Sequence, residues 1–135
     1  MLENWTQTAA FAYFGAVATN IQWSWSARSP DLKTVVLTWW MHEIVRDGPK
    51  LIYDMRDHSL LNEWRGRHGN RDRIKNLTCA RDHCNRLFRV VWCEAREPNA
   101  RIPKAVRRWP DKDLWMRLTE LNETTGEFRA ESVGG

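Results

Sequence analysis

The chain lacks the features that would declare a membrane protein or an obvious enzyme. No stretch approaches the roughly 18 consecutive apolar residues of a membrane span. The amino terminus, Met1-Leu-Glu-Asn-Trp5, has no basic region, and Thr6 and Thr8 interrupt any apolar one. No secretory leader is expected, and the expected location is the cytoplasm. Cysteine is scarce: Cys79, Cys84 and Cys93 make an odd number with no Cys-x-x-Cys pair. That argues against a disulfide framework and for reduced thiols, some acting as small buried hydrophobes. Neither the Walker pattern nor a dinucleotide-binding glycine fingerprint occurs; Gly66-Arg-His-Gly69 is a generic loop. Internal repeats and low-complexity segments are also missing. The 135 residues therefore read as one domain, 1–135, with 1–10 and 132–135 as its least ordered parts, long enough to form a core unaided by disulfides.

Tryptophan is abundant instead. Nine indoles stand at positions 5, 23, 25, 39, 40, 64, 92, 109 and 115. Each brings a large apolar body and one N–H that needs a partner when buried. One small core needs only a few such rings, so some are expected at a pocket or an interface.

The net charge of +4 is unevenly spread. Residues 1–62 carry five basic and six acidic side chains, and residues 90–135 carry eight of each. Between them, residues 63–89 hold eight basic groups (Arg65, Arg67, Arg71, Arg73, Lys75, Arg81, Arg86 and Arg89) against Glu63, Asp72 and Asp82, a balance of +5. Such a segment attracts polyanions, or else forms an ordinary solvated surface.

The clearest local signal is a hairpin. Ile21–Arg28 alternates large apolar with small polar residues, Ser29-Pro-Asp-Leu32 is a turn, and Lys33–Trp40 returns. A four-residue turn at Ser29–Leu32 places Trp25 opposite Val36, Trp23 opposite Thr38 and Ile21 opposite Trp40. The other surface, with Val35, Leu37 and Trp39, is too apolar to stay wet and calls for a cover, from another segment or another subunit. A turn at Arg46–Lys50 precedes a short strand at 51–55. Asp57 or Ser59 caps a short helical stretch through Trp64. Asn70 caps the principal helix, Arg71 to about Asn85, with Ile74, Leu77, Ala80 and Cys84 facing the sheet. Leu87–Ala95 reads as a central strand, Ile102–Trp109 as an irregular or edge strand, and 114–121 with 127–131 as a closing hairpin. Residues 1–20 fit an approach strand or a short helix. The expected fold is α+β: a curved or barrel-like, mainly antiparallel sheet with one principal helix packed against it.

Candidate chemistry is thin. Cys79 and His83 are i, i+4 on the helix with Cys84 adjacent, but a tetrahedral metal site needs more ligands, and His58 and His68 would have to fold in. No metal or cofactor is expected. A Cys79/His83 nucleophile lacks an orienting third residue, and a surface thiol beside a surface histidine is the simpler reading. Glu120, Glu123, Glu127 and Glu131 flank the last hairpin and read as its solvated rim. Aromatics beside cations are more informative, because rings stack on bases and arginine clamps phosphate. Trp64 with Arg65, Arg67, Arg71, Arg73 and Lys75 is the candidate nucleic-acid contact. Trp23, Trp25 and Trp40 are the alternative, the lining of a small-ligand pocket.

Trp23-Ser-Trp-Ser-Ala27, Val35-Val-Leu-Thr-Trp39, Arg73-Ile-Lys-Asn-Leu77 and Arg117-Leu-Thr-Glu-Leu-Asn-Glu-Thr-Thr-Gly-Glu-Phe128 resemble a family of small bacterial proteins of unknown function, some carried on mobile elements such as integron gene cassettes. The resemblance spans roughly residues 14–131 and implies an accessory, horizontally moved gene, with no activity or site residues attached. The expectation for function is a non-enzymatic binding protein, contacting nucleic acid through the basic, Trp-containing segment. The alternatives are a small-ligand binder and a homodimeric protein-interaction module, with an enzyme ranked below them.

Overall fold

The computed structural model describes residues 4–20, 24–56, 66–99 and 104–133. Within them lie two α-helices, α1 (Gln7–Tyr13) and α2 (His68–His83), and eight strands: β1 (Ser26–Arg28), β2 (Val35–Trp40), β3 (Val45–Asp47), β4 (Lys50–Asp54), β5 (Leu87–Ala95), β6 (Ala105–Pro110), β7 (Trp115–Leu121) and β8 (Phe128–Val133). The strands form one sheet in the order β1-β2-β5-β7-β8-β4-β3, with β6 also on β5. Among the described residues the end strands β1 and β3 do not pair, so the sheet is not closed. It is α+β and mainly antiparallel, with α2 packed against it as expected.

One pairing is parallel: β2 runs alongside β5, Val36 opposite Arg89 through Trp40 opposite Cys93. Near-continuous apolar runs mark strands covered on both faces, and both strands are. Val35, Leu37, Trp39, Phe88, Val90 and Trp92 enter the main core with Leu77 and Ala80 of α2. Val36 and Val91 point the other way, onto Ala10 and Phe11 of α1. The apolar surface of the hairpin is therefore covered from within the chain and does not require a second copy.

The hairpin register differs from expectation. Ser26 faces Leu37, Ala27 faces Val36 and Arg28 faces Val35. Ser29 N–H bonds the Thr34 carbonyl at 2.9 Å, which makes 30–33 the turn. Side chains select this register: Asp31 accepts from Lys33 N–H at 3.0 Å, and the Ser29 hydroxyl accepts from Thr34 N–H at 3.0 Å. Leu32 takes the left-handed conformation (φ 64°) to close the turn.

Helix α2 also departs from expectation. It starts at His68, and Arg67 in the cap position makes no side-chain capping bond. Asn70 lies buried in the first turn and donates from Nδ2 to the Thr125 carbonyl at 2.9 Å. Its capping propensity gives way to a tertiary bond. The buried face holds Gly69, Asn70, Asp72, Arg73, Asn76, Leu77, Cys79 and Ala80, while Ile74 is half-buried. Polar side chains fasten this face: Thr19 donates to Asp72 at 2.8 Å and Asn76 donates to Ser26 at 2.7 Å.

The core centres on a column of rings. Tyr53 stacks on Trp39 at 4.4 Å and Trp39 on Trp92 at 4.8 Å, with Phe128 edge-on to Tyr53 at 5.2 Å. Trp92 donates from Nε1 to Asp111 at 2.8 Å. Burial pushes the Tyr53 hydroxyl well above its ordinary pKa.

Candidate nucleic-acid interface

The sequence-expected contact divides once folded. Arg67 at the cap of α2, and Arg71 and Lys75 on the helix, are exposed and spaced i, i+4, i+8 along one ridge. Arg71 lies 3.4 Å from His68 Nδ1. Arg73 does not belong with them. It is only 5% exposed, with its guanidinium carbon 5.1 Å from the ring centres of both Trp25 and Phe128. The helical twist turns it inward, so it is a structural cation and not a surface contact. Burial pulls its pKa below the usual arginine value, opposed by the nearby Tyr53 and Glu43. Trp64 and Arg65 lie outside the described residues.

The alternative pocket does not assemble as expected. Trp25 leaves the strand and covers the Cα of Gly69 at the start of α2. Trp40 sits at the end of β2, its ring 5.7 Å from that of His42. Trp23 lies outside the described residues. The carboxylates of the closing hairpin face cations: Glu120 pairs with Arg56, Glu123 with Arg81, and Glu131 with both Lys50 and Arg129. Glu120, Leu121, Asn122, Glu127 and Arg56 line an open groove of about 340 Å³.

A different aromatic–basic surface emerges where the end of α1 meets β5, whose Arg89 reaches Trp115 of β7. Thr6 caps α1 through Ala9 N–H at 3.1 Å, and Gly15 (φ 76°) ends it. This places Trp5, Tyr13 and Phe14 in sequence along one edge. Trp5 and Tyr13 meet edge-to-face at 5.9 Å, and Tyr13 and Phe14 at 5.1 Å. Arg89, the one cation in β5, lies between rings, 4.6 Å from the centre of Phe14 and 4.2 Å from that of Trp115. Three carbonyls hold it there: Nε donates to Leu114 at 3.0 Å, and Nη2 donates to Lys112 at 2.6 Å and to Asp111 at 3.5 Å. Lys112 adds a second cation, 5.4 Å from the Tyr13 ring and 5.8 Å from Trp5.

Rings and cations thus alternate across a surface that keeps Tyr13 47% and Trp115 41% exposed. The surface also holds carboxylates: Asp111, which accepts N–H groups of Trp92, Asp113 and Leu114, and Asp113 both act on Arg89 as neighbouring negative charges. Sequence reasoning missed this site because its members lie far apart in the chain. Two signals pointed toward it: Thr6 and Gly15 bracketing a helix, and a lone cation inside a mainly apolar strand. No protein-family model matches the sequence, and neither a curated protein nor a solved structure matches it.

Proposed function

We propose that the protein binds single-stranded nucleic acid at the surface formed by Trp5, Tyr13, Phe14, Arg89, Lys112 and Trp115. The observation that carries this reading is the clamped guanidinium of Arg89 between Phe14 and Trp115. A ring beside a fixed cation offers a face for an unpaired base and a charge for its phosphate. The platform is pre-ordered, so little side-chain freedom is lost when a strand docks. Unpaired bases suit it better than duplex, whose bases already stack on each other.

The ridge of α2 supplies a second contact in the same reading. Arg71 and Lys75 form no ion pair with a carboxylate among the described residues, whereas Lys50, Arg56, Arg81, Arg107 and Arg129 do. The ridge and the platform lie on opposite sides of β2, so they contribute separately.

Fluorescence anisotropy with a labelled oligothymidylate tests the proposal. Affinity is expected to fall steeply between about 50 and about 200 mM salt, because phosphate contacts release counterions. Unlabelled duplex of the same length should compete poorly. Salt-insensitive binding, or no binding at low salt, would reject the reading.

A further inference from the structure

We propose that Cys79 and Cys84 form a two-thiolate site for a soft monovalent cation of the Cu(I) class, where the end of α2 meets the β1–β2 turn. Both thiols converge on one atom: Cys84 Sγ donates to the Leu32 carbonyl at 3.2 Å and Cys79 Sγ donates to the same oxygen at 3.7 Å. They come together because the helix stops. Residues i and i+5 diverge on a continuing α-helix, but α2 ends at His83, and Cys84 occupies the cap. Asn85 and Arg86 then turn left-handed, at φ 55° and 67°, and Arg86 N–H closes the end onto the Ala80 carbonyl at 2.8 Å.

The environment suits a soft ion. Cys79 is 5% exposed, and half-buried Cys84 provides the way in. Two sulfur donors suit an ion that prefers sulfur to oxygen or nitrogen. Zinc, which takes four ligands in structural sites, finds no group of three or more His, Cys, Asp or Glu among the described residues. On binding, two S–H bonds break, two Cu–S bonds form, and two protons leave to solvent. No oxidation state changes.

Anaerobic competition with the bicinchoninate complex of Cu(I) tests the site. The folded chain is expected to withdraw one equivalent, gain near-ultraviolet thiolate-to-metal absorption, and lose two of its three titratable thiols. Cys93→Ser should leave uptake intact, while Cys84→Ser and Cys79→Ser should each weaken it by more than about tenfold. Thermal melts of each variant separate ligand loss from unfolding, and Cys84→Ser at a half-buried cap keeps the test open if Cys79→Ser destabilises. No withdrawal by the wild-type chain, uptake that survives in folded Cys84→Ser, or uptake that depends on Cys93 would each overturn the proposal.

Discussion

Arg89 holds its guanidinium 4.2 Å from the ring centre of Trp115, and the carbonyl of Leu114, one residue before that ring, accepts from its Nε at 3.0 Å. Cation and ring are therefore locked into one unit, with the outer part of the indole left open. If this unit receives a base, Trp115→Ala removes one stacking face, worth about 1–3 kcal/mol. Oligothymidylate binding is expected to weaken by about five- to a hundredfold. The melting temperature should move little, because the ring is 41% exposed. Unchanged affinity in a folded Trp115→Ala chain would remove the platform from the function, and anisotropy measures it directly.

The α2 ridge predicts a different signature. In Arg71→Ala/Lys75→Ala, two phosphate contacts disappear and no stacking face does. The slope of log affinity against log salt should flatten by roughly 1.4 for a single strand, with sequence preference unchanged. A slope equal to that of the wild-type chain would show that the ridge is only a solvated surface.

Gly69 lies beneath the Trp25 indole so closely that a Cβ would overlap it. Gly69→Ala must push the ring away or tilt the first turn of α2. Overpacking of this kind costs about 1–3 kcal/mol. Urea denaturation followed by tryptophan emission should show a lower midpoint at an unchanged m value. Gly66→Ala, with open space around it, is the matched control.

The buried bond from Asn76 to Ser26 should behave asymmetrically. Ser26→Ala leaves the Asn76 amide without its acceptor, a loss of about 1–3 kcal/mol. Removing both polar groups in Ser26→Ala/Asn76→Leu should recover part of that, because nothing polar stays stranded. A double-mutant cycle by chemical denaturation reads the coupling; a strictly additive pair would contradict it.

Several carboxylates title a common pH dependence. The hydrogen bond from Arg56 holds Asp54 below its ordinary pKa, Lys50 and then Arg129 do so for Glu131, and Arg81 does so for Asp82. These groups bind protons less readily folded than unfolded. Their stabilisation is therefore complete above the ordinary carboxylate value near 4 and is lost as pH falls through the lowered folded values. Urea midpoints taken from neutral to acid pH should drop in that window, and less so in high salt, which screens exposed pairs. A midpoint that held constant through the acid range would contradict this.

Strand positions were legible in the sequence because they rest on local pattern. The run Leu87–Ala95 and the two segments of the closing hairpin carry their own signal, and the structure places strands at 87–95, 115–121 and 128–133. The hairpin register was not legible, because hydrogen bonds of Ser29 and Asp31 shift its turn by one residue. The buried face of α2 was hidden for a similar reason. Hydropathy alone cannot tell that Asn70 and Asn76 go inside to meet partners about fifty residues away.

Sequence by itself determined the composition of the parts: an α+β chain, its β5 and hairpin strands, one long basic helix and, among the described residues, no helix long and apolar enough to cross a membrane. Tertiary structure alone decided which cation is buried and which is displayed. Arg73 and Arg89 look alike on paper, but helical twist sends one between Trp25 and Phe128, while the sheet carries the other to Phe14 and Trp115. The physical reason is distance along the chain. A residue's intrinsic preferences act over one or two turns of backbone, whereas the partners that fix a guanidinium arrive only when α1, β5 and β7 have packed.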